Sequence, residues 1–387
     1  MKRIESPESS PSPIVEGSRK TLSPGLRAAL VVGLLYLFLV GVKMLEGGVK
    51  LLGSDTAGGL FDGITNPVAA LFVGILATVL VQSSSVTTAT IVGLVAAGQL
   101  DIEIAVYMVM GANIGTTVTN TIVSLAHARK SEEFKLAFSA ATMHDFFNLI
   151  AVIVFLPLEY FTGFLLNTAT WLTDLLPVGK DATFNSPIKG AVKWGANLIE
   201  GIFESFIENP TTLGITFIVV GIIIIFITLM YITKNMRLLI AARIENSINA
   251  ALAKSALVGM GVGVLVTISV QSSSITTSIL VPLVASGILL LRNAYPITLG
   301  ANIGTTVTAL LAALATGAAS GMTIALVHLL FNVFAILVIY PIPKIRYIPV
   351  ILAEKLARVA ANKKWVAIAY VGGMFILIPI LGIVILN

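Results

Sequence analysis

Nine residues, Gly-Ala-Asn-Ile-Gly-Thr-Thr-Val-Thr, stand at 111–119 and recur unchanged at 300–308. A second pair keeps the same offset of 189: VQSSSVTTATIVGLV at 81–95 and VQSSSITTSILVPLV at 270–284 agree at 10 of 15 positions. A looser echo follows, with His144 and Asn148 of MHDFFN answered by His328 and Asn332 of HLLFN at an offset of 184. Such a duplication commits the chain to two halves of like architecture. It also places runs of hydroxyl and carboxamide side chains inside otherwise apolar segments, where polar groups are costly unless paired.

The setting of those motifs identifies the solvent. Hydrophobic residues make up 57% of the 387, charged residues only 11%, and mean hydropathy is +0.98. An ordinary soluble domain carries roughly 25% charge, so a water-soluble globule is excluded. Disorder is excluded as well, because it requires low hydrophobicity and high charge. The apolar runs at 26–46, 103–126, 136–157, 211–233, 294–315, 322–340 and 366–386 are each long enough to cross a bilayer. Two further pairs, 67–81 with 86–99 and their counterparts around Gln271–Ser274, are too short to cross singly. Each is interrupted by Gln-Ser-Ser-Ser, which predicts a re-entrant hairpin or a helix broken at membrane depth.

Charge placement sets the topology. Lys and Arg cluster in the N-terminal tail and in loops 127–135, 234–254 and 341–364, and the positive-inside rule assigns all four to the cytoplasm. The span count is then consistent only if each QSSS segment returns to the side it entered from, the first from outside and the second from inside. The expected fold is an all-α polytopic membrane protein of two inverted repeats, each with a re-entrant QSSS hairpin. Its parts are a disordered cytoplasmic tail (1–25), repeat 1 (26–157), an extracellular or periplasmic loop (158–210), repeat 2 (211–340), and a basic cytoplasmic segment with a final helix (341–387). The net charge of +5 implies no nucleic-acid partner, since no basic stripe interleaves with aromatics. The absence of cysteine excludes disulfides, thiolate metal sites and Cys nucleophiles.

Chemistry follows from the broken helices. A helix start offers free N–H groups and the positive end of a dipole to an oxyanion, and serine hydroxyls add donors. Unwound carbonyls and the oxygens of Gln, Asn and Thr suit a hard cation such as Na+. A lone Ser-x-x-Thr would more often be a close-packing device between helices. Two copies of QSSSxTT, each followed by GANIGTTVT, point to a binding site instead, as paired broken segments do in transporters. Neither motif contains Lys or Arg, so an anion there depends on neutral donors and co-bound cations, which is the basis of coupling. Asp145 is the only carboxylate well inside an apolar run and is a candidate cation ligand. His144 and Asn148, like His328 and Asn332, share a helix face and are read as packing residues hydrogen-bonded between the repeats.

With these motifs in view, the sequence resembles the type II sodium/phosphate cotransporters, over roughly residues 30–340. The resemblance rests on both QSSS motifs, both GANIGTT motifs and MHDFFN followed by LPLE. It implies sodium-coupled symport of inorganic phosphate across the plasma membrane by alternating access. It implies no enzymatic activity and no organic cofactor, with Na+ as the co-transported ion. Phosphate would be held by Ser83, Ser84, Ser85, Ser272, Ser273 and Ser274. Gln82, Gln271, Asn302 and Thr305 would coordinate sodium or phosphate. Their neighbours Thr87, Asn113, Thr116, Thr117, Thr276 and Thr306 complete the sodium set. Asp145 matches an aspartate that the family's electrogenic members associate with an additional sodium; the second copy has Leu329 there. The family's vertebrate disulfide has no counterpart in this cysteine-free chain. Another oxyanion as substrate, or a phosphate exporter or channel without sodium coupling, is the alternative that the motifs leave open.

Overall fold

The computed structural model describes residues 23–57, 64–125, 127–176, 187–252 and 255–386. The tail expected to be disordered therefore lies, through residue 22, outside the described residues. Every element among the described residues is helical. The first half contains α1 (Pro24–Ala57), α2 (Pro67–Val81), α3 (Ser84–Ala97), α4 (Ile102–Gly115), α5 (Val118–Leu125) and α6 (Ser131–Thr162). After α7 (Phe164–Leu175) and α8 (Pro187–Glu204), the second half follows with α9 (Pro210–Leu252), α10 (Ala256–Val270), α11 (Ser273–Ala285), α12 (Leu291–Thr316) and α13 (Ala319–Ile339). The chain continues through α14 (Pro343–Arg346), α15 (Ile348–Asn362), α16 (Trp365–Gly372), a π-helical turn (Gly373–Leu377) and α17 (Ile378–Leu386). Seven described helical segments are long and apolar enough to cross a membrane. They coincide with the seven runs read from hydropathy. The chain is a multi-pass membrane protein.

Local chemistry fixes the starts of these helices. Asn66 accepts from the Val68 and Ala69 N–H groups at the head of α2, where Pro67 supplies the fixed φ that suits a first turn. Ser255 caps α10 in the same way, with Oγ accepting from Val258 N.

Packing relies on close approach of backbones. α1 and α9 lie antiparallel. A Cβ on Gly48 would stand 2.7 Å from the Gly214 carbonyl oxygen, and one on Gly221 2.9 Å from that of Gly41. The pairing runs in opposite order along the two helices. Within the halves, a Cβ on Gly74 would overlap the Met108 carbonyl, and one on Gly111 that of Leu71. The second half repeats this at Gly263 with Ile297 and at Gly300 with Met260. The GANIG glycines are thus where α4 rides on α2 and α12 on α10. Small residues serve this purpose where lipid supplies no hydrophobic drive between helices.

Three expectations need correction. The basic loop expected at 234–254 is helical as far as Leu252. Gly221 is the last Gly or Pro before that point, and Lys and Arg are good helix formers, so nothing stops the helix where the apolar run ends. The segment 158–210, expected to be a loop, is helical over most of its described residues. Glu159 in it is buried, and its carboxylate accepts from Leu165 N at 2.6 Å and Leu166 N at 3.2 Å, capping α7 across the turn at Gly163. The run 103–126 divides at Thr116–Thr117, whereas the same nonapeptide in α12 does not. On α1, Lys43 turns onto buried Glu46 at 2.7 Å, and Lys50 meets the same carboxylate at 2.6 Å.

Candidate functional site

The two QSSS segments fold alike. α2 ends at Gln82, whose backbone is left-handed (φ 55, ψ 26), and α10 ends at Gln271 in the same conformation (φ 54, ψ 29). These are the only non-glycine residues with positive φ among those described. The side chain compensates for the strain. Gln82 Nε2 donates back to Val79 O at 2.5 Å, and its Oε1 accepts from Thr119 Oγ1 at 3.2 Å. Gln271 does the same with Ile268 O at 2.7 Å and Thr308 Oγ1 at 2.8 Å. Each glutamine therefore closes its helix and ties the turn to the last residue of the GANIGTTVT motif.

The next residue starts the following helix. Ser83 is extended and caps α3, accepting from Val86 N at 3.3 Å; Ser272 caps α11, accepting from Ile275 N at 3.4 Å. The first-turn N–H groups beyond these caps have no helical acceptor. Ser84, Ser85 and Ser273 are buried, Ser83, Ser272 and Ser274 half-buried, and Gln82 exposed. Thr87 and Thr276 bond to the carbonyls of Ser83 and Ser272, and Thr88 and Thr277 to those of Ser84 and Ser273.

The two QSSS turns, distant in sequence, meet. Ser85 Oγ donates to Gln271 O at 3.4 Å, and Ser274 Oγ donates to the Thr116 carbonyl at 3.3 Å. The second bond uses a carbonyl at the point where α4 gives way to α5. Beside it, Asn120 Nδ2 donates to Thr277 Oγ1 at 2.5 Å and Asn120 Oδ1 accepts from Ser278 at 2.9 Å. The expected sodium residues otherwise fall into two groups. Asn113 and Asn302 join a network between the halves: Asn148 donates to Asn113 O at 2.8 Å, Asn302 donates to Asn148 Oδ1 at 2.8 Å, and Asn332 donates to Asn113 Oδ1 at 3.4 Å. His144 Nε2 lies 2.5 Å from Asn302 Oδ1, which is the packing role expected of it. Thr116 and Thr305 bond back to the carbonyls of Ala112 and Ala301. Thr117 and Thr306 bond to those of Ile114 and Ile303. Thr276 also meets Thr267 at 2.8 Å.

Asp145 is fully buried on α6 beside Thr117, Thr121 and Tyr370, the last two within reach of its Oδ2. Among the described residues no basic side chain forms an ion pair with it, and no group of three or more His, Cys, Asp or Glu could hold a metal. The donor set around Asp145 is all oxygen, which fits an alkali cation better than a transition metal.

Three of these residues escaped the sequence reading. Asn120 carried a signal, since it follows the first nonapeptide where Ala309 follows the second. Thr121, two residues beyond the motif, carried a weak one. Tyr370 carried none, because a tyrosine in a terminal apolar run reads as an interfacial anchor.

Comparison with known proteins agrees with this duplicated arrangement. The family model described as Na+/Pi-cotransporter matches residues 37–165 and 223–353, one stretch in each half. Sodium-dependent phosphate transport protein 2A of Rattus norvegicus is 33% identical over 425 residues, covering 92% of this chain and 67% of that protein. The 2A protein of Oryctolagus cuniculus is 35% identical, over 93% of this chain and 67% of its own length. Sodium-dependent phosphate transport protein 2B of Homo sapiens is 32% identical, over 92% and 64%. No solved structure matches.

Proposed function

The chain belongs to the Na+/Pi-cotransporter family, and from that premise we propose that it is a plasma-membrane symporter in which Na+ entry drives uptake of inorganic phosphate. It is a transporter, with sodium as the co-transported ion. The observation that carries the reading is the meeting of two like-built QSSS turns, Ser85 of one against Gln271 of the other, with Ser274 of the second on the Thr116 carbonyl of the first half's repeated nonapeptide. Two helix starts there bring uncommitted N–H groups and six serines to one place, with no permanent positive side chain in either motif.

In this reading phosphate is held by Ser83, Ser84, Ser85, Ser272, Ser273 and Ser274. Na+ is taken by oxygens of Gln82, Gln271, Thr87, Thr276, Asn113, Asn302 and the threonine pairs Thr116–Thr117 and Thr305–Thr306. Because the protein's own donors are neutral, the cation must bind first and supply the positive field that phosphate requires. The halves act as inverted repeats with re-entrant hairpins, a reading supported by the antiparallel α1–α9 pair and by helices of 13 to 15 residues around each QSSS turn. Rocking of the hairpins against the α1–α9 scaffold then gives alternating access. A further Na+ at Asp145 would make uptake of divalent phosphate electrogenic, worth about 2.3 kcal/mol per net charge per 100 mV. Residues 1–25 and 341–364 would face the cytoplasm and 158–210 the exterior.

Phosphate flux into proteoliposomes, with and without an inward Na+ gradient, tests the assignment. Accumulation only with the gradient is expected; equal flux in both conditions would overturn it. Arsenate and sulfate as competitors define the anion.

A further inference from the structure

Three buried carboxylates on the long helices are satisfied in different ways. Glu46 is met by two ammonium groups, Lys43 and Lys50. Glu159 is met by two backbone N–H groups. Asp145, at 0% exposure, has neither. Its Oδ2 accepts from the Tyr370 phenol at 3.0 Å and from Thr121 Oγ1 at 3.5 Å, while the nearby Thr117 hydroxyl donates to Ile114 O and Oδ1 is left without a hydrogen bond. A buried carboxylate oxygen left in that state is costly unless a cation meets it.

Tyr370 comes from an unexpected quarter. It sits on α16, after both repeated halves and beyond both stretches matched by the family model. The span that carries it, Trp365–Leu386, is largely exposed and so faces lipid. Yet its tyrosine ring is gripped by three aromatics: Phe138 at 6.3 Å and 78°, Phe146 at 6.2 Å and 36°, and Phe375 at 6.1 Å and 90°. Phe375 reaches that position from the π-helical turn Gly373–Leu377, where one extra residue per turn changes the face a side chain presents. Phe375 is itself fully buried. The second half has Leu329 in register with Asp145, so the arrangement exists once.

We propose that Tyr370 is the positioning residue of a Na+ site at Asp145, supplied by the terminal helix from outside the duplicated fold. By donating to Oδ2, the phenol fixes the carboxylate so that Oδ1 is turned to the cation. The three aromatic contacts hold the phenol in that direction. This rests on the reading of Asp145 as a cation ligand.

The test is phosphate uptake by the full chain in proteoliposomes, measured against Na+ concentration for wild type, Tyr370→Phe, Asp145→Asn and the double variant. Tyr370→Phe keeps the ring and its packing. It should raise the half-activating Na+ concentration by about tenfold, the scale of one hydrogen bond to a charged group, and leave the half-saturating phosphate concentration at saturating Na+ unchanged. It should add nothing in the Asp145→Asn background. Wild-type sodium dependence in Tyr370→Phe, with Asp145→Asn altered, overturns the positioning role alone. So does an equal shift in both backgrounds, which would mark the tyrosine as packing only. Wild-type sodium dependence in Asp145→Asn removes the cation site and the proposal with it.

Discussion

Gln82 and Gln271 hold a backbone conformation that costs an L-residue roughly 1–2 kcal/mol, and each spends both ends of its amide on its surroundings. In the proposed function two roles are superposed, shaping the turn and offering a carbonyl oxygen with a second lone pair to an ion. Substitution separates them. Gln82→Ala should abolish uptake, through loss of both. Gln82→Gly accepts φ 55 without strain, so it should restore the folded yield while uptake stays absent. Wild-type uptake in Gln82→Gly would reduce Gln82 to a turn residue. Ser273→Ala removes a buried hydroxyl and should abolish uptake with expression intact. Asp145→Gly should leave electroneutral transport, read as uptake without current; an unchanged current would reject Asp145 as the extra sodium site.

Among the elements, the repeated nonapeptide serves packing, and in the proposed function binding as well. Its first and fifth residues let α4 lie on α2 and α12 on α10, and its asparagines join the network between the halves. In Gly111→Ala the added Cβ would meet the Leu71 carbonyl, which is backbone and cannot yield as a side chain would. A loss of at least about 1–3 kcal/mol is expected, seen as a lower melting temperature in detergent. Gly300→Ala should behave alike, since Met260 O stands in the corresponding place. Unaltered melting in both would show that the pairs part readily. These helices were legible because their apolar lengths and polar interruptions are local properties. The continuation of α9 to Leu252 was not, because hydropathy marks where lipid ends and not where helical hydrogen bonding does. The capping role of Glu159 was not legible for a related reason: whether a carboxylate is solvated or spent on backbone N–H groups depends on how the chain turns at Gly163.

At the scale of the molecule, α1 and α9 pair through reciprocal glycine contacts, while the two QSSS turns meet through the Ser85 hydroxyl on Gln271 O. The first contact is backbone against backbone; the second is a single polar bond. A chain without native cysteine allows the second contact to be tested by crosslinking. Oxidised Asn120→Cys/Thr277→Cys joins α5 of one half to α11 of the other, and it should stop transport until reductant is added. Transport through this crosslink would mean that these elements do not move apart during the cycle.

The sequence by itself determined the solvent, the seven crossings, the duplication and the two serine-rich turns, because each follows from composition, run length or an identity between two stretches of one chain. It also carried the family resemblance that the comparisons then established. Only the tertiary structure decided which of the polar residues meet. Asn113 and Asn302 lie in a network between the halves, Thr121 and Tyr370 lie against Asp145, and Asn120 bridges to the opposite hairpin. The reason is the asymmetry between two nearly equal copies. Asn120 against Ala309 and Asp145 against Leu329 are single differences in sequence, and their consequences depend on partners 157 and 225 residues away, which only packing brings into contact.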